Sequence, residues 1–118
     1  IDWKRDGKVA IDFKDDNEMA LARPWVLKDK GVFKMWFSFK GDVKIGNSYR
    51  LGYAESLDGI KWDRMDDKVG INVSRDGWDS EMVEYAAVIS FEDKYYMFYN
   101  GNDYGKNGIG IAVCESKE

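Results

Sequence analysis

Two stretches of this chain alternate apolar and polar positions with the period of a strand, and they alternate alike. Phe33, Met35, Phe37 and Phe39 share one face of a strand, while Lys34, Trp36 and Ser38 share the other. Tyr95, Met97 and Tyr99, set against Tyr96 and Phe98, repeat the arrangement at a shift of 62 residues. The alignment runs without a gap from Trp25–Ser38 onto Ala87–Asn100, so that Val26 meets Val88 and Leu27 meets Ile89. Lys28–Gly31 and Phe91–Lys94 supply the hairpin turns that precede these strands. A third strand follows each hairpin, Tyr49–Ser56 and Asn107–Cys114, with Gly52 on Gly110 and Ala54 on Ala112 at a shift of 58. Aromatic residues on both faces predict sheets that are covered on both sides. A period of this size, filled with short strands, is the mark of repeated sheets that cannot bury both faces alone.

The segment Ser56-Leu-Asp-Gly-Ile-Lys-Trp62 predicts a turn, for which Asp-Gly is a strong signal, leading into a short fourth strand over Lys61–Arg64. The second unit lacks this piece at its C-terminal end. At the other end, Ile1-Asp-Trp-Lys-Arg5 resembles Ile60-Lys-Trp-Asp-Arg64, and Lys8–Asp12 resembles Lys68–Asn72. The expected fold is therefore all-β, a single domain of two four-stranded antiparallel blades. The first blade takes residues 9–64, and the second takes 68–118 together with 1–7. In this arrangement the N-terminal strand near Trp3 closes the second blade by pairing with the C-terminal strand near Ile111. The segment Glu18–Ala22 is the one candidate for a short helical turn.

Composition narrows the function. At 118 residues with 44% hydrophobic and 15% aromatic content, the chain can bury one core and is not disordered. A net charge of −4, with Lys4, Arg5, Lys8 and Lys14 interleaved among acids, disfavours nucleic acid as a partner. With no histidine, Ser-His-Asp chemistry and imidazole metal sites are excluded. The single cysteine, Cys114, cannot form an internal disulfide, and its apolar neighbours predict a buried or half-buried strand residue. Asp66, Asp67 and Asp103 do not have calcium-loop spacing, so neither metal nor cofactor is expected. No apolar run is long enough to cross a bilayer and no signal peptide is evident, so a cytoplasmic location is expected and a membrane partner is not.

Four segments carry a resemblance: Ala22-Arg-Pro-Trp-Val26, Tyr53–Trp62, Trp78-Asp-Ser-Glu-Met82 and Tyr96–Asn102. In order and spacing they resemble blades of the five-bladed β-propeller glycoside hydrolases, the superfamily of families 32, 43 and 130, over nearly the whole chain. The resemblance implies four-stranded blades around a central pocket, with carboxylates on the innermost strands acting on sugars. The chain supplies two blades where that ring has five, and Tyr85-Ala-Ala87 stands where relatives commonly have a proline. Two blades leave blade flanks exposed, and large exposed apolar flanks predict a homo-oligomer joined through them.

Glycosidases need one carboxylic acid and one carboxylate at a fixed separation. Asp79, Glu81 and Glu84 are the candidate catalytic set, and the resemblance places an acid at Glu84. Glu81 and Glu84, three residues apart, point to opposite sides of a regular strand unless a bulge intervenes. Asp15 and Asp16 are further carboxylates, more in keeping with turns. Arg23 could hold a sugar hydroxyl or carboxylate, or pair with Glu18 or Glu84. Trp25, Trp78 and Tyr104 offer flat faces on which a sugar can stack, and Asn100 belongs to a Gly/Asn turn that could rim a pocket. Three functions stay open at this point. The chain is a glycosidase-like propeller portion that binds carbohydrate or is inactive, a hydrolase or phosphorylase active only as an oligomer, or an interaction module without a ligand.

Overall fold

A computed structural model describes residues 1–41 and 48–115. Within these residues seven antiparallel strands form two sheets. The first sheet has the order β1 (Ala20–Asp29), β2 (Val32–Lys40), β3 (Tyr49–Ser56), β4 (Asp63–Arg64). The second has the order β5 (Glu84–Phe91), β6 (Lys94–Asn100), β7 (Ile109–Cys114). Among the described residues helix is confined to a 3-10 turn at Asp66–Lys68 and one turn at Asn102–Gly105, where Asp103 and Tyr104 are left-handed.

Local chemistry explains the matching geometry of the sheets. Each opening hairpin is closed by two residues of positive φ, Lys30 and Gly31 in one and Glu92 and Asp93 in the other. That is the tight-turn geometry whose twist matches paired strands. Each inner strand is also broken by a bulge, between Ala22 and Trp25 in β1 and between Glu84 and Ala87 in β5. At these bulges Arg23 and Tyr85 take positive φ, 52° and 56°. The registers coincide as well, Val26 with Met35 and Ala54 in one sheet, Val88 with Met97 and Ala112 in the other. Gly52 and Gly110 leave room for aromatic rings. A Cβ on Gly52 would lie 2.4 Å from Phe37, and on Gly110 2.1 Å from Trp78.

The sheets pack face to face. Trp36, Leu51 and Tyr53 of the first meet Ala86, Val88, Tyr95, Met97 and Tyr99 of the second, while Val69, Ile71 and Val73 pack against the same core. The Trp25 indole N–H donates to the Val88 carbonyl at 2.8 Å, satisfying its polar edge inside this interface. On its far flank the first sheet buries Met35, Phe37, Phe39 and Ala54 beneath Ile11, Leu21 and Trp62. Arg64 closes that flank. Its guanidinium lies 4.9 Å from the Phe37 ring centre and forks between Glu18, whose side chain is fully buried, and Asp66. The outer face of the second sheet has no such cover: Ile89, Phe98, Ile111 and Val113 are 39–57% exposed.

Four expectations change. The N-terminal strand does not close the second sheet, because residues 1–7 form no strand, Trp3 is 86% exposed, and the sheet order ends at β7. The reason is positional: Ala10 and Ile11 lie against the Met35–Phe37 flank, so the segment before them leaves from the side of the first sheet that faces away from β7. Glu18–Ala22 gives no helix; Ala20–Ala22 begin β1, held by pairing of Leu21 with Phe39. The third strand of the second sheet begins at Ile109, not Asn107, and Cys114 at its end is exposed rather than buried, because β7 is the edge of the described sheet.

Candidate functional site

The two bulges set the site. By turning the backbone at the start of each inner strand, they bring Arg23 and Tyr85 together, with the Arg23 guanidinium 5.8 Å from the Tyr85 ring centre. The Tyr85 N–H donates to the buried Ser38 hydroxyl at 2.9 Å, which fixes the bulge of the second sheet against β2 of the first. Tyr49, opening β3, lies 5.9 Å from Tyr85 and 6.1 Å from Tyr104, giving three rings in contact. Tyr104 is 53% exposed, and the Asn100 side-chain amide donates to its carbonyl at 3.4 Å. Arg50 holds the floor: it donates to Ser48 and to the carbonyls of Tyr49 and Glu81, and burial lowers its pKa from the usual guanidinium value.

Glu84 stands apart electrostatically. It is fully buried, neither carboxyl oxygen has a hydrogen-bond partner, and desolvation pushes its pKa up to about 7. An acid in that condition holds its proton near neutrality, as general acids do. In this structure it is sealed from solvent.

The other expected residues are placed as follows. Asp79 is buried and accepts the Tyr99 hydroxyl at 2.8 Å; burial, then the contact with Asp79, pushes the Tyr99 phenol up to about 12. Trp78 stacks on Tyr99 at 5.5 Å and sits over Gly101 and Gly110, so one of its faces is spent on packing. Trp25 lies in the interface between the sheets. Glu81 is exposed; its N–H donates to Asn102 and its carbonyl accepts from Arg50, which leaves its carboxylate at the rim. The structure therefore gathers Arg23, Asn100 and Tyr104, and adds Tyr49 and Tyr85. Tyr85 could have been found as the counterpart of Arg23 under the 62-residue shift, whereas Tyr49 was legible only as a strand residue.

A second concavity of about 270 Å³ opens between the sheets, lined by Trp36, Tyr53, Tyr95, Met97, Ala112 and Val113 among others. At its mouth the Tyr53 hydroxyl donates to Glu55 at 2.6 Å and the Lys34 ammonium donates to both. Burial and that acid raise the Tyr53 phenol's pKa. Among the described residues no cluster of three or more His, Cys, Asp or Glu side chains could hold a metal, and no helix is long and apolar enough to cross a membrane.

Bulged inner strands, antiparallel blades stacked face to face and a cluster at the inner-strand starts define the class: the chain has the fold of propeller-type glycoside hydrolases. A solved structure described as a glycoside hydrolase superimposes with a TM-score of 0.73 at 17% identity, covering 98% of this chain and 33% of that one. A solved complex of BT0996 and RGII gives 0.66 at 16% identity over 98% and 33%. A thermostable family-43 glycoside hydrolase gives 0.50 at 21% identity over 83% and 29%. No family model matches the chain. In sequence it is 38% identical over 116 residues to the uncharacterized proteins Rv1502 and MT1551, from two strains of Mycobacterium tuberculosis. The match takes 98% of this chain and 37% of each relative, so the chain spans little more than a third of their length.

Proposed function

We propose that this chain is a carbohydrate-binding portion of a glycosidase-type propeller, holding a sugar ring against Tyr104 and Tyr85 beside Arg23 and Asn100. The observation that carries this reading is the three-tyrosine cluster, with Tyr104 half-exposed, at the starts of the inner strands. Aromatic faces supply flat apolar area for the C–H side of a pyranose, and a guanidinium and an amide supply donors for its hydroxyls. Binding is favoured over turnover by the disposition of the acids. Asp79 is committed to Tyr99, Glu81 stands at the rim, and Glu84 is sealed, so these three acids do not form the open pair of carboxyl groups that glycoside cleavage needs. Titration with a panel of neutral and acidic oligosaccharides, followed by amide NMR shifts, tests the reading. Shifts confined to Tyr49, Tyr85, Tyr104, Arg23 and Asn100, and lost in Tyr104→Ala, are expected; no shift with any member of the panel contradicts it.

A second reading rests on Glu84, whose raised pKa suits a general acid. Here the chain is a hydrolase or phosphorylase whose site is completed by further copies. Release of aryl leaving groups that rises with protein concentration and disappears in Glu84→Gln would support it.

A further inference from the structure

Two cations stand over the tyrosine cluster without an acid to balance them among the described residues. The Arg23 guanidinium lies 5.8 Å from the Tyr85 ring centre, and the Lys40 ammonium lies 5.6 Å from that of Tyr49. Lys40 is paired with Tyr49 in the register of β2 and β3. It comes two residues after Ser38, whose hydroxyl takes the Tyr85 N–H, so both share the face of the first sheet that is turned to Tyr85. On the neighbouring strand Ala22, the residue before Arg23, pairs with Ser38. Arg23 and Lys40 therefore flank the Tyr85 bulge from adjacent strands.

The acids of the chain are engaged elsewhere. Of the two expected beside Arg23, Glu18 is taken by Arg64, and Glu84 has no hydrogen-bond partner at either oxygen. The Glu84 carboxyl is shifted by burial alone, with no cation drawing it down. Among the described residues Lys34 has Glu55 and Lys94 has Glu115, but no ion pair joins Arg23 or Lys40 to an acid. Arg50, next to Tyr49, spends its donors on the Ser48 hydroxyl and two neutral carbonyls, so it brings no acid to the cluster either.

The ligand that fits such a place carries its own negative charge. A guanidinium offers a planar fork of N–H donors to a carboxylate, and charge-assisted pairs of this kind are stronger than those between neutral groups. Contact with the Tyr85 ring holds the guanidinium without using those donors. In a hexuronate the carboxylate is bonded directly to the pyranose ring. One sugar can thus lay its C–H face on a tyrosine and reach a cation with its edge. A sulfate ester hangs on a further rotatable bond and has more freedom to lose on binding.

We propose that the cluster selects acidic sugars: a hexuronate stacks on Tyr104 and Tyr85 while its carboxylate forks onto Arg23, with Lys40 as the second countercharge. This names the ligand class of the sugar site proposed above and rests on that reading.

Calorimetric titration of the 118-residue chain with trisaccharides of galacturonate, glucuronate and mannuronate, each beside its carboxyl-reduced counterpart, tests it. At low salt at least one acidic trisaccharide should bind roughly tenfold more tightly than its reduced counterpart, the advantage of a charge-assisted pair. Raising sodium chloride to about 0.5 M should erode that preference by screening a partly exposed pair. Arg23→Gln should cut the preference to about threefold or less, and Lys40→Gln should lower it by a smaller factor, with amide NMR spectra showing both variants folded. If the reduced trisaccharides bind as tightly as the acids and Tyr104→Ala abolishes both, the sugar reading stands and this inference falls. Failure of every trisaccharide to bind removes both. An acid preference that survives Arg23→Gln, or equal binding of a sulfated neutral trisaccharide, overturns the assignment of a carboxylate to Arg23.

Discussion

The two sheets share hairpin turns, bulges and registers, yet they solve the problem of their edges and faces differently. The first has a fourth strand, an indole tucked under it, and a flank locked by Arg64 between Glu18 and Asp66. Among the described residues the second has three strands and leaves one face exposed. The difference also reaches the starts of the inner strands. Ala22 of the first sheet has Glu84 as its counterpart in the second, so one position is inert and the other holds an isolated acid. What matches between the sheets is backbone geometry; what differs is how each covers its surface and where charge is buried.

The strongest way to break the comparison is to unlock the first sheet. Arg64→Ala strands the buried Glu18 carboxylate, and losing one member of a buried pair costs about 4 kcal/mol. Urea denaturation should show that loss, and a cost under about 1 kcal/mol would mean the flank is not locked this way. Next in size is Glu84→Gln. The unfolded chain ionises this residue near 4.5 and the folded chain only near 7. Its contribution is therefore fully present below pH 4.5 and lost as pH rises through 7. The Gln variant should match the wild type at about pH 4 and exceed it by about 3 kcal/mol at about pH 8; parallel stability curves across that range would contradict the burial. Smaller again are Gly52→Ala and Gly110→Ala, each of which drives a methyl into an aromatic ring. Both should lower stability by about 2 kcal/mol, and similar thermal shifts would sharpen the equivalence of the two strands. Least of all is Ile111→Lys on the bare face, expected to change monomer stability by no more than about 0.5 kcal/mol. A larger cost would mean that the face is covered within one chain.

Alternation made the strands and their order legible, because period-2 patterning with aromatic residues on both faces admits few other structures. The glycines at 52 and 110 and the Asp-Gly turn at 58–59 fell where expected, since each answers to local steric rules. The closing pairing of Trp3 with Ile111 was misplaced because sequence likeness identifies a kind of strand without saying which sheet lies within its reach. Among the site residues, Arg23, Asn100 and Tyr104 were visible as polar or aromatic residues in the right loops. Tyr49 was not, because its role depends on Tyr85 and Tyr104 arriving beside it from distant positions. Trp25 and Trp78 show the converse: an indole that looks available for stacking can be spent on Val88 or Tyr99.

Amide hydrogen exchange bears most directly on the contrast between β3, which β4 covers, and β7, which no strand covers among the described residues. The Tyr53 N–H donates to the Asp66 carboxylate and its carbonyl accepts from the Met65 N–H, both on the β4 side, and its counterpart across the sheets is Ile111. In the 118-residue chain at low concentration, the Tyr53 amide should be strongly protected while Ile111 exchanges close to the rate of an open edge. Equal protection at the two positions would show that β7 is already covered within one chain, and the contrast between the sheets would be void.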